Sequence, residues 1–380
     1  MRTLDAASAG FHTFTADAEV NFQLNRWLEN LSPHGMEDLR SLGSTSRSHE
    51  QWRTDLLALA QRVRADGRPF DAAYYLRAAE FFTPPTHPDK QRLRREFLSI
   101  IRSECGVTPI SIPYEDGALH AYDLQPEGPV TGTWVVFGGF DSYIEEFLPI
   151  LHAALSAGRR VIAFEGPGQG SVLEDYGLVM TPRWDLPTRA VLDYFALDAV
   201  TLVGISLGGL LAINAAPGEP RVRRAVAWNS MDDYYKVAMS VALPGAARLA
   251  DTVSRHIPMP ILNAALRAIA ARRPLVDWGL WQGQHVFGAA SPAEFLRKAA
   301  TMHTRATSPH VRADVLLLQG NEDHYVPADQ HHRQGAALTG VRSLTMRTFT
   351  AAEAGQHHCQ VGNMALALRT IVEWEQSLER

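Results

Sequence analysis

Cysteine is scarce in this chain, which has only two, Cys105 and Cys359, among its 380 residues. Two cysteines so far apart make no disulfide framework, and this excludes the small disulfide-stabilised class of secreted protein. A reducing compartment is the ordinary setting for a chain of this length with so little cysteine. We therefore expect a cytoplasmic protein.

Long apolar runs and clustered positive charge are also lacking. No uninterrupted apolar stretch reaches the roughly 20 residues that a membrane-spanning helix needs, and the first residues lack the basic start and apolar run of a signal peptide. The formal net charge is -5, whereas nucleic acids and anionic membranes select surfaces rich in Lys and Arg. We expect neither a nucleic acid nor a membrane as partner, and a small molecule as substrate.

Motifs for metals and nucleotides are missing as well. The fifteen histidines include no H-E-x-x-H pattern, and no cysteine pair has the spacing of a zinc site. The stretch FEGPGQG, residues 164–170, spaces its glycines as G-x-G-x-G around a proline. That spacing matches neither the dinucleotide-binding fingerprint nor the phosphate-binding P-loop. We expect no metal and no cofactor, and interpret residues 164–170 as a scaffold turn.

The spacing of apolar residues along the chain changes at about residue 106. Residues 18–104 repeat apolar side chains at helical spacing. A hairpin signal at Asp116-Gly117 follows, and then short apolar strands alternate with helices. Near-continuous apolar strands of this kind predict an α/β fold whose mostly parallel, eight-stranded sheet is covered on both faces.

One interval, residues 231–312, breaks this alternation with more than eighty residues of helical periodicity. An excursion of that length is longer than a simple crossover and predicts an inserted helical lid. The chain is therefore expected to consist of an N-terminal helical domain, the first part of the α/β core, the lid and the second part of the core, at residues 1–105, 106–230, 231–312 and 313–380.

The pattern G-x-S-x-G occurs at Gly204–Gly208, between a β-branched strand and a helix rich in Ala and Leu. Small residues two positions before and after Ser206 allow a tight strand-to-helix turn. Such a turn projects the serine hydroxyl above the sheet, at the N-terminus of the helix. This context favours a nucleophile over a purely structural turn capped by a serine. Ser206 is the candidate nucleophile.

A serine nucleophile needs a base that takes its proton and a carboxylate that orients the base. The chain order expected for this architecture is serine, acid, histidine. Asp323 follows the buried strand VLLLQG and is the candidate acid, with Glu322 beside it as a substitute. The stretch EAGQHHCQVGN then supplies His357 and His358. Because adjacent side chains of an extended segment point in opposite directions, only one of the two should face Ser206, and the residues alone leave the choice open.

The tetrahedral intermediate of such chemistry needs backbone donors for its oxyanion. A glycine turn follows the strand TWVVF, so the N–H of Phe140, or of Gly139, together with that of Leu207 is the candidate oxyanion hole. Large apolar residues in the lid favour an apolar, aromatic or polyketide substrate, although the same residues are equally explained as the core of the lid itself. The candidate substrate-binding residues are Met231, Trp278, Trp281 and Phe287.

Together these motifs resemble the serine α/β-hydrolase superfamily, and within it a branch that carries an N-terminal helical domain. That branch includes the fermentation-respiration-switch-like proteins, the 2,6-dihydroxypseudooxynicotine hydrolase and fungal polyketide-shortening hydrolases. The resemblance covers most of the chain and lies in the stretches DAEVNFQLNRWL, VVFGGFDSYIEEF, FEGPGQG, GISLGG, VFGAASPAEF, GNEDHYVP and HHCQVGN.

The resemblance implies an α/β-hydrolase fold with Ser206 as nucleophile, Asp323 as acid and His358, the histidine directly before the cysteine, as base. It also implies a homodimer. Glu165 departs from the pattern, since relatives more often have Asp before this Pro-Gly turn. We expect that difference to affect local structure and not the catalytic residues.

Enzymes of this branch cleave esters or the carbon–carbon bonds of β-diketone-like aromatic compounds, and others resemble enzymes that eliminate acetate from acylated tetronates. We therefore expect a cofactor-free serine hydrolase that cleaves an ester or C–C bond of an apolar small molecule, in secondary metabolism or aromatic degradation. An acyl-eliminating lyase is the alternative within enzymes. A non-catalytic small-molecule receptor on a hydrolase scaffold is the alternative from another class, although it would not need a complete catalytic triad.

Overall fold

The computed structural model of the chain describes residues 9–43, 48–243 and 257–379. Part of the predicted lid, residues 244–256, lies outside the described residues. Among the helices that are described, none combines the length and the apolar character needed to cross a membrane.

Among the described residues, five helices precede the sheet, and side-chain caps mark where two of them begin. The Asp17 carboxylate accepts the N–H groups of Glu19 and Val20 at the first helix, and the Ser48 hydroxyl accepts the N–H of Gln51 at the third, as that sequence pattern predicts. The helices are α1 Ala18–Leu28, α2 Gly35–Gly43, α3 His49–Ala65, α4 Pro69–Phe81 and α5 Lys90–Cys105. Helix α4 is buried from Asp71 to its end, so it forms the centre of this helical segment.

The eight strands form one sheet in the order β1-β2-β4-β3-β5-β6-β7-β8. The hairpin β1–β2 and the pair β2–β4 are antiparallel, and all other pairs are parallel. The strands are β1 Ile110–Tyr114, β2 Gly117–Leu124, β3 Gly132–Phe137, β4 Arg159–Glu165, β5 Val200–Ile205, β6 Val222–Trp228, β7 Asp314–Gly320 and β8 Ser343–Phe349. The predicted eight-stranded, mostly parallel sheet is confirmed.

Helices connect these strands and cover both faces of the sheet. Those of the core are α6 Leu148–Ser156, α7 Gly170–Tyr176, α8 Asp185–Tyr194, α9 Leu207–Ala215, α14 Ala328–Ala337 and α15 Met364–Leu378. Among the described residues, four further helices lie between β6 and β7, in the predicted lid, and are α10 Tyr234–Ala242, α11 Met259–Ala270, α12 Pro274–Val286 and α13 Pro292–Ala299.

The two faces of the sheet belong to two apolar cores, because side chains alternate along each strand. In β3, Val135 and Phe137 pack with α8, α9 and the lid, whereas Trp134 and Val136 pack with the N-terminal helices, α6 and α15. The N-terminal helices therefore share a core with one face of the sheet. The division of the chain into four segments stays a prediction.

Buried charges also join the N-terminal helices to the sheet. Arg77 of α4 donates through Nε to Glu146, which follows β3, at 2.7 Å, and through Nη1 to Glu80. Lys90 Nζ lies 2.7 Å from the second oxygen of Glu80, so each of these buried charges has a partner. A buried charge is tolerated only with such partners, because removing one member leaves the other without solvation.

We expect the substitution Arg77→Met to lower the free energy of unfolding by about 3–5 kcal/mol, because Glu80 and Glu146 lose a buried cation. The matched control is Arg92→Met on α5, whose partners Asp89 and Glu96 are at the surface and whose loss costs at most about 1 kcal/mol. Urea denaturation of both variants measures the difference. Equal effects would contradict a structural role for the buried network.

Candidate active site

Ser206 lies at the turn between β5 and α9 in a backbone conformation that is rare for a residue with a side chain, with φ 61° and ψ -124°. Its N–H donates to the carbonyl of Trp228 at the end of β6, at 2.8 Å. A Cβ added to Gly204 would lie 1.9 Å from the carbonyl oxygen of Gly208, so the turn requires the glycine. The turn has the tight geometry expected from the G-x-S-x-G pattern.

A line of hydrogen bonds joins the serine to a histidine and a carboxylate. Ser206 Oγ lies 2.9 Å from His358 Nε2, and His358 Nδ1 lies 2.8 Å from Asp323 Oδ2. Because the carboxylate accepts a hydrogen bond from the Nδ1–H group, the neutral imidazole presents Nε2 as an acceptor for the serine hydroxyl. The structure thus brings the three predicted residues together in the order that proton transfer requires.

The acid lies in the loop after β7, residues 321–327, which we call the acid loop. Asp323 Oδ1 accepts the N–H groups of Tyr325 and Val326 at 2.8 and 2.9 Å, and this fixes the carboxylate. Burial would raise the pKa of Asp323, but His358 and the N–H donors outweigh burial and lower that pKa. Glu322, the substitute considered from the sequence, is exposed and takes no part in this line of bonds.

The two histidines have different surroundings. His357 has an extended backbone, with φ -93° and ψ 175°, and its half-buried ring lies against Phe11, with ring centroids 3.7 Å apart. His358 therefore faces Ser206 and His357 faces the N-terminal segment. Burial opposes protonation of His358, but the nearby Asp323 carboxylate outweighs it and raises the pKa of the imidazole. Burial lowers the pKa of His357.

Asn229, at the end of β6, is a functional residue that sequence reasoning missed. Its side-chain Nδ2 donates to Asp323 Oδ2 at 2.7 Å, and its Oδ1 accepts the N–H of Cys359 at 3.1 Å. It is fully buried and has φ 78°, which Asn adopts more readily than most residues. Asn229 thus joins the acid to the loop that carries the base. An Asn at the carboxyl end of a parallel strand is the signal that could have identified it.

The predicted oxyanion donors lie beside the nucleophile. A Cβ added to Gly139 would lie 2.8 Å from the Leu207 nitrogen, so only glycine allows the two segments to approach this closely. The N–H of Gly139 already donates to Ser142 Oγ at 3.3 Å. Within the described residues, the N–H groups of Phe140 and Leu207 have no hydrogen-bond acceptor, so Phe140 is the better of the two alternatives.

The glycine-rich stretch at residues 164–170 supports this turn from behind. Gln169 donates to the carbonyl of Gly138 at 2.6 Å and accepts the N–H of Gly166 at 3.1 Å. The carboxylate of Glu165 is buried and accepts the N–H groups of Ile144 and Ser171. Burial raises the pKa of Glu165 to about 8. Neither side chain reaches Ser206, which agrees with a scaffold role.

A cavity of about 160 Å³ opens above Ser206, between the lid and α1. Met231 and Trp278 line it, as predicted. Trp281 and Phe287 do not, and the prediction is corrected there, because Phe287 packs face to face with Tyr234 and Trp281 lies edge-on to Trp278, behind the wall. The apolar wall on the lid side is instead formed by Tyr234, Val237, Leu266, Val276, Leu280 and Phe295.

The opposite wall of the cavity comes from helix α1, through Phe22, Arg26, Trp27 and Asn30. Arg26 donates to Asp141 at 3.2 Å, directly after the oxyanion donor Phe140. The hydroxyl of Tyr325 in the acid loop donates to Glu19 of α1 at 2.6 Å. Sequence reasoning missed these contacts, because they depend on where the first helix packs and leave no local pattern.

Comparison with known proteins gives three findings. The profile of the alpha/beta hydrolase family matches residues 130–361. The hydrolase acrC of Aspergillus aculeatus is 30% identical over 315 residues, which cover 73% of this chain and 72% of that protein. The hydrolyase poxO of Penicillium oxalicum is 27% identical over 337 residues, or 75% of this chain and 77% of that protein.

The structure is also similar to the crystal structure of the 2,6-dihydroxy-pseudo-oxynicotine hydrolase, with a TM-score of 0.64 and 18% identity over 93% of this chain and 94% of that one. At this identity the likeness shows the fold. It confirms the fold class expected from the sequence, including the N-terminal helices, since nearly the whole chain is matched.

The different surroundings of the two histidines predict different effects of their removal. We expect His358→Ala to lower the rate of phosphonylation of Ser206 by a fluorophosphonate at least about 10³-fold, because the hydroxyl loses its proton acceptor. The matched control His357→Ala should keep the rate within a few-fold. Gel-based labelling of both purified variants measures this. The reverse order of effects would contradict His358 as the base.

Proposed function

Because the chain belongs to the alpha/beta hydrolase family, we propose that it is a serine hydrolase that cleaves an ester or an activated C–C bond of an apolar small molecule. The observation that carries the proposal is the unbroken line of hydrogen bonds from Ser206 Oγ through His358 to Asp323, at 2.9 and 2.8 Å. A nucleophile, a base and an orienting carboxylate in this order are the requirements of acyl transfer.

In the proposed reaction, Ser206 Oγ attacks the substrate carbonyl carbon while His358 Nε2 takes the hydroxyl proton. The N–H groups of Phe140 and Leu207 stabilise the oxyanion, and the buried Asp323 carboxylate stabilises the imidazolium. The tetrahedral intermediate then collapses, and His358 gives its proton to the leaving group. A water molecule, deprotonated by His358, attacks the acyl-serine, which releases the acid and restores Ser206.

The cavity favours an apolar group on one side of the scissile bond. Its lid-side wall consists of aliphatic and aromatic side chains, whereas the lining residues Arg26, Asp141 and Glu146 place charge on the side of α1 and the oxyanion donors. If the scissile bond is C–C, the leaving carbanion must be delocalised by a ring or a second carbonyl, since His358 can protonate only a stabilised carbanion. A β-dicarbonyl compound or an ester meets these requirements.

A second candidate is elimination. The relative from Penicillium oxalicum is named a hydrolyase, a class that breaks a C–O bond with loss of water, and loss of a carboxylate is the analogous C–O elimination. In that reaction His358 would remove a proton from the carbon β to the leaving carboxylate, the C–O bond would break, and a double bond would form. Water would not enter the products. The same dyad of His358 and Asp323 would serve as the base.

The nucleophile is tested with a fluorophosphonate probe. We expect Ser206 to be phosphonylated in the folded protein and the substitution Ser206→Ala to abolish labelling, because the probe reacts only with an activated serine. Tryptic mass spectrometry locates the adduct. Undiminished labelling of the Ser206→Ala protein, or no labelling of the native protein, would refute this nucleophile, and the second result would favour a non-catalytic receptor.

Turnover in ¹⁸O-labelled water then separates hydrolysis from elimination. Hydrolysis through an acyl-serine places one ¹⁸O atom in the released acid, because water attacks the acyl carbon. Elimination releases an unlabelled acid, because only C–H and C–O bonds outside the carboxyl group break. Mass spectrometry of the released acid decides between the two reactions.

The lid-side wall predicts a selective effect of Val237→Phe. Val237 is buried and lines the cavity, so added bulk should shorten the space for an apolar chain. We expect kcat/KM for octanoate esters to fall about tenfold or more, with acetate esters affected only a few-fold. Ile261→Phe on α11, at a position that is 62% exposed, is the matched control and should change neither. Equal losses for both chain lengths would contradict the assignment of this wall.

A further inference from the structure

Glu29, the residue directly after helix α1, has a buried carboxylate whose hydrogen-bond partners are backbone groups near the base. Its Oε1 accepts the N–H of Gly362 at 2.6 Å, and its Oε2 accepts the N–H of Met364 at 2.9 Å. The side chain is not part of the cavity wall. Both of its oxygens are thus occupied by the segment that follows His358.

Together with the histidines, that segment is called the base loop here; it comprises residues 357–364, up to the first residue of α15, and it has an unusual backbone. Cys359 and Gln360 have φ values of 52° and 55°, and Gly362 has φ 104°. Residues with side chains occupy this region rarely, and they persist there only when the surrounding structure holds them. The peptide at Gly362 is held on both sides, because Glu29 accepts its N–H and the N–H of Gly10 donates to its carbonyl at 2.7 Å.

We propose that Glu29 is a positioning residue for the base, because its carboxylate holds the base loop in the conformation that presents His358 Nε2 to Ser206. This inference rests on the proposed function, in which His358 takes the proton of the serine. Glu29 acts through the loop and touches neither the serine nor the cavity. Through Glu29, the N-terminal helical segment would thus help to orient the His358 ring.

A carboxylate is suited to this position because two N–H donors converge on it. A glutamine would offer one acceptor oxygen, and its amide N–H groups would face the second donor. The position also lies at the N-terminus of α15, where negative charge is favoured. Asn363 caps that helix as well, through a bond to the N–H of Leu366.

Within the part of the chain that the structure describes, no cation pairs with Glu29. Burial raises the pKa of Glu29 to about 7, and the two backbone N–H groups oppose that increase. Arg26, one turn earlier on α1, is engaged by Asp141 and Glu146. The other charged or titratable side chains on the elements packed against Glu29 are Asp17 and Glu19 at the start of α1, His12 of the N-terminal segment, His357, His358 and Cys359 around the base, and Arg369, Glu373 and Glu375 of α15. None of them is a source of the shift in the pKa of Glu29.

The rate of reaction at Ser206 should depend on the protonation of both Glu29 and His358. Protonation of Glu29 as the pH falls below about 7 removes one of its two acceptors, so the base loop loses one of its bonds. Protonation of His358 removes the base itself on the same acidic side. The rate is then highest when both groups are deprotonated. Because loss of the Glu29 charge lowers the rate only about tenfold to 10²-fold, the logarithm of the rate should fall with a slope of up to two over about the first one to two pH units below both pKa values.

The experiment measures the rate of phosphonylation of Ser206 by a fluorophosphonate from pH 5 to 9 in the full-length protein and its variants. We expect Glu29→Gln to lower the rate at pH 8 about tenfold to 10²-fold, since small displacements of a catalytic group have effects of this size. Its acidic slope should be one. Glu29→Asp keeps a carboxylate, and it should recover part of the rate and the slope of two.

The matched control is Asp71→Asn, another buried carboxylate of the helical segment, which accepts the N–H of Ser32 and pairs with Arg68. We expect it to lower the melting temperature while it leaves the rate and the slope unchanged. A wild-type rate and slope in Glu29→Gln would overturn the proposal. So would effects of Glu29→Gln no larger than those of Asp71→Asn at equal loss of stability.

Two further readouts keep the test decisive. If Glu29→Gln does not fold, the acidic slope of the native protein decides, because a slope of one overturns the proposal. NMR titration of the His358 ring is independent of serine chemistry. Besides the inflection from the imidazole itself, its resonance should show a second inflection near pH 7 that Glu29→Asp shifts. If the native protein is not labelled at Ser206, the proposed function fails, and the presence or absence of that inflection still decides the role of Glu29.

Discussion

A charge buried in a protein must find its partners in the interior, and the charged groups of the first helix find theirs in the loops around Ser206. Arg26 pairs with Asp141 beside the oxyanion donors, and Glu19 accepts the hydroxyl of Tyr325 in the acid loop. Glu29 accepts two N–H groups at the base loop. The N-terminal helical segment therefore contacts three loops of the candidate site.

The same loops carry backbone strain, which needs such support. Ser206, Asn229, Cys359 and Gln360 all have positive φ values, and residues with side chains rarely adopt them. Each lies at or beside a group of the candidate triad. The parallel sheet fixes the starting points of these loops at its carboxyl edge, where the sheets of this class collect their ligands, and the helical segment fixes their ends.

Much of this arrangement can be predicted from the sequence, and there is a physical reason why the remainder cannot. The apolar strands and the G-x-S-x-G turn are local patterns, so the sheet and Ser206 followed from them. Adjacent side chains of an extended segment point in opposite directions, so only one of His357 and His358 could be the base. The choice stayed open, because this rule does not say which of the two side chains points toward Ser206. Only the family pattern favoured His358.

Contacts that depend on tertiary packing could not be predicted from the sequence. The position of Asn229 at the end of a strand marks it as a candidate, but nothing near it in the sequence indicates which two loops, more than ninety residues away, its side chain joins. Trp281 and Phe287 are as large and apolar as Trp278, and whether such a residue faces a cavity or the core behind it depends on the rotation of its helix. Tertiary packing decided these cases, and composition did not.

The central claim is that Ser206 reacts between loops that are held by the first helix and the lid, and a crystal structure of the fluorophosphonate adduct tests it most directly. The account predicts a phosphonyl oxygen within about 2.7–3.1 Å of the N–H groups of both Phe140 and Leu207, with the alkyl chain against the lid-side wall. An adduct on another residue, or a phosphonyl oxygen directed away from these two donors, would contradict it.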